Sequence, residues 1–126
     1  TILLSFIVNA QNPIGAWERI HVSEEGKELK SIVIFSESHQ SISIYENKTG
    51  KLIHSNGGTW KLEGKTMTEV VEFDTDNSER VGDAVVFDIN IDDKFFMTTS
   101  GASRPYLSCS AFKLSIDIRV RLTCAF

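Results

Sequence analysis

Apolar and polar residues alternate along this chain in short runs, and turn-forming clusters interrupt the runs every eight to twelve positions. The 3.6-residue spacing of an amphipathic helix is almost absent, so the pattern predicts an antiparallel β protein. Eight strands are expected, at roughly 16–23, 29–36, 40–46, 52–61, 65–74, 84–91, 94–99 and 111–123. The clusters "SEEGK", "ENKTGK", "EGK", "DTDNSERVGD" and "IDDK" punctuate them. Two runs alternate best. In "AVVFDINI", Val85, Phe87, Ile89 and Ile91 share one face while Asp88 and Asn90 take the other. In "FKLSIDIRVRL", Phe112, Leu114, Ile116, Ile118, Val120 and Leu122 oppose Lys113, Ser115, Asp117, Arg119 and Arg121. One buried and one wet side per strand is what an antiparallel sheet with a solvent face requires. "WKLEGKTMTE" is the clearest hairpin, because Gly64 can take the positive φ of a tight turn.

Short sequential strands joined by hairpins fit either a closed up-and-down barrel or a sandwich, and closure would remove exposed sheet edges. A barrel of about eight strands has an interior that either fills with side chains or holds one small ligand. The length of 126 residues suits a single domain, assigned here to residues 11–126. The first ten residues, "TILLSFIVNA", carry no charge and end in Val8, Asn9 and Ala10. They are expected to be part of a signal peptide cleaved after Ala10, which implies a secreted or periplasmic protein. A buried N-terminal strand is the alternative for this segment.

Residues 15–20, "GAWERI", resemble the Gly-x-Trp signature on the first strand of the lipocalins and the wider calycin group. "GGTWKLEGKTMTEVVEF" is similar to the short secreted bacterial lipocalin-like domains, where a Gly-Gly-aromatic strand leads through a Gly turn into a Thr/Glu-rich strand. The likeness runs from about residue 13 to 99; from Gly101 onward the sequence departs from the family pattern. The resemblance implies an all-β, lipocalin-like up-and-down barrel of about eight strands. It implies that Gly15 and Trp17 close one end, with an Arg from the last strand lying over the indole. Arg119 and Arg121 are the candidates for that cation–π lid.

Charge narrows the partners. A net charge of −4 with scattered basic residues argues against nucleic-acid binding. No stretch is long and apolar enough to span a bilayer as a helix. The terminal alternation ending in Phe126 resembles the last strand of an outer-membrane barrel, but strands such as "KTMTEVVEF" offer no continuous lipid-facing side. His21, His39 and His54 fall on separate elements without metal-ligand spacing and are assigned to the surface or rim, with no metal expected. Asp74 and Asp76 open like a calcium loop, but Glu79 stands where the loop needs Gly, so a solvated loop is favoured. Cys109 and Cys124 could form one disulfide in an exported protein. An unbroken strand between them would hold them too far apart, so two thiols are favoured. "NKT" at 47–49 fits a glycosylation acceptor but serves equally as a polar hairpin turn.

These features lead to one expectation about function. The resemblance implies non-covalent binding of a small apolar or amphipathic ligand in the barrel interior, with no cofactor. Alternation and size nominate Phe35, Tyr45, Trp60, Phe73, Phe87 and Phe95 as inward-facing. The alternative is a secreted or envelope-associated interaction module with a packed barrel and no ligand. An enzyme is not expected, since no catalytic constellation is visible. Oligomeric state is left open.

Overall fold

The computed structural model describes residues 12–91, 95–99 and 110–114, with side chains for 12–91 and for Phe112. Six strands follow one another as β1 (Gly15–Val22), β2 (Glu28–Phe35), β3 (His39–Glu46), β4 (Leu52–Glu63), β5 (Thr66–Asp74) and β6 (Ala84–Ile91). Each pairs antiparallel with the next in an up-and-down order, and the sheet curls about one apolar face. Two shorter strands, β7 (Phe95–Thr99) and β8 (Ser110–Leu114), continue the ladder. β8 also pairs with β1, at Trp17↔Leu114 and Glu18↔Lys113. A 3-10 turn at Ser78–Arg80 is the sole helical element among the described residues.

The strands form where alternation predicts them. In β6, Val85, Phe87 and Ile89 are buried while Val86 is 43% exposed. In β2, Ser31, Val33 and Phe35 are buried while Ile34 is 52% exposed. Inward residues of β1, β2, β5, β6 and β8 form one core of Trp17, Val33, Phe35, Met67, Val71, Val85, Phe87, Ile89 and Phe112, with Ile42 of β3 and Trp60 and Leu62 of β4 packed against it. Burying each large side chain contributes about 1.5–3 kcal/mol. The outer face is wetter, with Lys30–Glu18 and Lys65–Asp88 ion pairs at 3.5 and 3.7 Å.

Connections are short, and they alternate between the two ends of the sheet. Residues 23–27, 47–51 and 75–83 lie at one end, and 36–38 and 64–65 at the other. Gly64 takes φ +62°, as its two-residue turn demands. Two bulges interrupt the ladders, one at Ile44/Tyr45 and one at Gly57/Gly58. The second depends on glycine. A Cβ on Gly58 would lie 1.8 Å from the Val70 carbonyl oxygen, so the close approach of β4 and β5 admits no side chain.

The expected last strand, 111–123, overlaps β8 at 111–114, and its remainder lies outside the described residues. So do the proposed signal segment, Arg119, Arg121, Cys109 and Cys124. No helix among the described residues is long and apolar enough to cross a membrane.

Candidate functional site

The inner face is built from the alternation of β1. Gly15, Trp17, Arg19 and His21 fall on the side of the strand that faces the core, because β-strand side chains repeat every two residues. Trp17 is 2% exposed, and its Nε1–H donates to the carbonyl of buried Pro13 at 2.7 Å. The indole is thus satisfied by the chain just ahead of its own strand. Phe35 meets Trp60 edge-to-face, with centroids 5.7 Å apart and planes at 89°. Trp60 in turn donates through Nε1 to the Ser36 carbonyl at 3.0 Å, tying the β2–β3 turn to β4. This end of the sheet is therefore covered by two tryptophans and Phe35.

Polar side chains interrupt the apolar lining along the inner face. Arg19 holds its guanidinium carbon 5.9 Å from the centroid of the buried Phe112 ring, within cation–π range. Ser31, opposite Arg19 on β2, is buried. Gln40, opposite Phe35, is buried too. His21 lies one step nearer the 23–27 loop, and its Nδ1 is buried with no hydrogen-bond partner among the described residues. Burial, and after it the Arg19 charge, hold the His21 pKa below the usual imidazole value. Arg19, His21, Ser31, Gln40 and Glu69, which pairs with Trp60 and Val85, together put hydrogen-bonding capacity on a mostly apolar face.

A second cluster stands at the rim, where β4, β5 and the 75–83 loop meet. The Asp74 side chain is 2% exposed. Its Oδ1 accepts from His54 Nε2 at 2.9 Å and from the backbone N–H groups of Asp76 and Asn77 at 2.9 and 3.1 Å. Its Oδ2 accepts from Arg80 at 2.8 Å. Burial alone would raise the carboxyl pKa. The hydrogen bonds from His54, Asp76 and Asn77, with the His54 charge, outweigh it and bring the value down to about 2. Both oxygens of the carboxylate are engaged, Oδ1 by β4 and the loop and Oδ2 by the loop's Arg80. The cluster is therefore a fastener for the 75–83 loop.

A third group, Ser38, His39 and Glu72, has the contact order of a hydrolase relay. Ser38 Oγ lies 2.7 Å from His39 Nδ1, and His39 Nε2 lies 3.4 Å from Glu72 Oε2. All three side chains are exposed, so water competes for each contact and the ion pair contributes only about 0–1 kcal/mol. We assign it to the exposed surface where Glu72 of β5 meets the start of β3. Among the described residues, no group of three His, Cys, Asp or Glu side chains could hold a metal ion.

The nominated residues separate by face. Phe35 and Phe87 lie in the core and Trp60 packs against it half-buried. Phe73 is not inward: it is 43% exposed and covers Gly57 from outside, its Cε1 only 2.7 Å from where a Gly57 Cβ would stand. The bulge explains the reversal. Gly57 pairs with Phe73 and Gly58 with Val71, so Glu72 is the extra residue, and alternation carried forward from Val71 changes face. Tyr45 is not inward either. It pairs with Lys30 on the outer face, while Ile42 and Ile44 take the inner positions of β3. Phe95 is placed by backbone only, opposite Lys113, and its side chain lies outside the described residues. Among the histidines, His39 is exposed as expected, but His54 is bonded to a buried carboxylate and His21 presents a buried nitrogen.

The chain matches no protein-family model and no curated protein sequence.

The polar pair on the inner face escaped the sequence reading, although its signal was present. Residues 17, 19 and 21 of "WERIH" share a face with Trp17 by simple alternation. The Asp74 cluster carried no such signal, because His54 and Asp74 are twenty residues apart and meet only through the β4–β5 register.

Proposed function

We propose that this chain is a closed, eight-stranded, lipocalin-like barrel, exported from the cytoplasm, that binds a small amphipathic ligand against its inner face. The pairing of β8 with both β7 and β1 supports closure. The order of motifs from "GAWERI" to "EVVEF" supports the lipocalin resemblance, and the uncharged "TILLSFIVNA" supports export. The reading rests mainly on one observation. Arg19 and His21 occupy inner-face positions in line with Trp17, and plain core packing does not favour polar groups there. A pocket of mostly apolar walls with a few polar anchors is the usual form of a small-molecule site. The ligand would enter from the end that carries loops 23–27, 47–51 and 75–83, because the other end is covered by Trp17, Phe35 and Trp60.

Native mass spectrometry of the purified protein, followed by organic extraction, tests this directly. The expected result is a discrete lipophilic adduct that leaves on extraction, or a rise in melting temperature with fatty acids or retinoids. A clean apo mass with no stabilisation by either class overturns it.

A second reading has its own observation. On the outer face, Ile34, Ser41, Gly57 and Phe73 are successive cross-strand neighbours, and the two large members are exposed. That row suits an interaction module with a packed interior, which the apo outcome would favour.

A further inference from the structure

We infer that Asn47, on the hairpin between β3 and β4, is the acceptor for an N-linked sugar chain. This goes beyond ligand binding and rests only on the export part of the proposed function, because such acceptors belong to secreted chains.

The motif comes first. Of the six asparagines in the chain, Asn47 alone has Ser or Thr two residues on, in "NKT", with Lys rather than Pro between them. A three-residue match carries little by itself, and the fold supplies the rest. β3 ends at Glu46 and β4 begins at Leu52, so the motif falls on the connection and on neither strand. Asn47, Lys48 and Thr49 are all exposed. The turn is closed by backbone, with the Gly50 N–H donating to the Glu46 carbonyl at 2.8 Å and the Glu46 N–H to the Lys51 carbonyl at 2.9 Å. The Thr49 hydroxyl adds a contact of 3.2 Å to the Glu46 carboxylate. The Asn47 side chain takes no part in that closure.

The Asn47 amide is instead held at one point. Its backbone N–H donates to the Glu28 carbonyl at 2.9 Å, and its Nδ2 donates to the Glu28 carboxylate. A side-chain amide has two N–H groups, so Glu28 orients the group and uses one of them. In the transfer, Nδ2 forms a bond to the anomeric carbon of a sugar chain linked to a lipid diphosphate. The bond from that carbon to the diphosphate oxygen breaks, the diphosphate leaves, and Nδ2 gives up one proton. One N–H remains and can still be given to Glu28. The sugar thus projects from the end of the sheet that carries loops 23–27 and 75–83, without displacing a strand or the contacts that close the turn. A bulky, solubilising group suits such an exposed position.

Peptide mapping of the protein from fractionated source cells tests the assignment. The expected result is a sugar mass on the peptide that contains Asn47, in a chain found outside the cytoplasm. An exported chain with Asn47 unmodified overturns the assignment and leaves the export reading standing. A chain held wholly in the cytoplasm overturns the export reading, and the assignment with it. The full chain translated into microsomes behind an appended leader then tests the residues. Wild type should gain one sugar chain, Thr49→Ser should gain it at lower occupancy, and Asn47→Gln and Thr49→Ala should gain none. Modification that survives Asn47→Gln overturns the position. Melting curves of the modified and unmodified protein should coincide or favour the modified form; a lower melting temperature with the sugar overturns its accommodation by the native turn.

Discussion

Replacing Asp74 with Asn should weaken the fold in a way that depends on pH. The substitution keeps the size of the side chain and one carbonyl oxygen, which can still accept from the Asp76 and Asn77 N–H groups. It removes the charge and turns an amide nitrogen toward Arg80 or His54, where both partners are donors. A hydrogen bond to a charged group contributes about 1.5–3 kcal/mol, and the contacts here share one carboxylate and do not add fully. A loss of about 2–3 kcal/mol at pH 7 is expected. The pH dependence follows from the depressed pKa, 3.8 in the unfolded chain and about 2 when folded. That difference corresponds to at most about 2.4 kcal/mol, and about half of it is expected because solvent lies one side chain away. A depressed carboxyl stabilises the folded state fully above the unfolded value of 3.8. That stability is lost as pH falls through the folded value near 2. Urea unfolding of wild type and Asp74→Asn, repeated between pH 7 and pH 2.5, measures both quantities. The two proteins should differ most at neutral pH and converge in acid. A loss under about 0.5 kcal/mol, or a difference that stays constant across the series, would refute the fastening role of this carboxylate.

Two further predictions test the register. Gly58→Ala should cost about 3 kcal/mol or more by denaturant unfolding, since its methyl would meet the Val70 carbonyl at 1.8 Å. Gly50→Ala, in open space at φ +73°, should cost only about 1–2 kcal/mol; similar losses for the two would argue against the close approach at the bulge. Phe87→Ala should lose about 3–5 kcal/mol as a core truncation, whereas Phe73→Ala should lose less than about 1 kcal/mol. Equal losses would place Phe73 inside and cancel the reversal at the bulge.

The sequence by itself determined the strands, their order and most of their faces. Alternation in "AVVFDINI" and the glycine at 64 specify local geometry, and local geometry needs no distant partner. It follows that β1 to β6 lie within a few residues of their expected limits. Phe35 and Phe87 belong to the buried row on the same ground. Tertiary structure decided everything that depends on register. A single unpaired residue at Glu72 sends Phe73 outward, and no propensity in "VVEFD" marks the place. The carboxylate of Asp74 is acidic despite its burial because β4 brings His54 to it and the loop turns the Asp76 and Asn77 N–H groups onto it, and the His54 contact exists only once two strands have paired. Arg19 and His21 stand between these cases. Their face was set by alternation with Trp17, but their surroundings arise from the curled sheet, which brings Phe112 to Arg19 and buries the Nδ1 of His21. Period-two patterning specifies which side of a strand a residue occupies; pairing across the sheet specifies what it meets there.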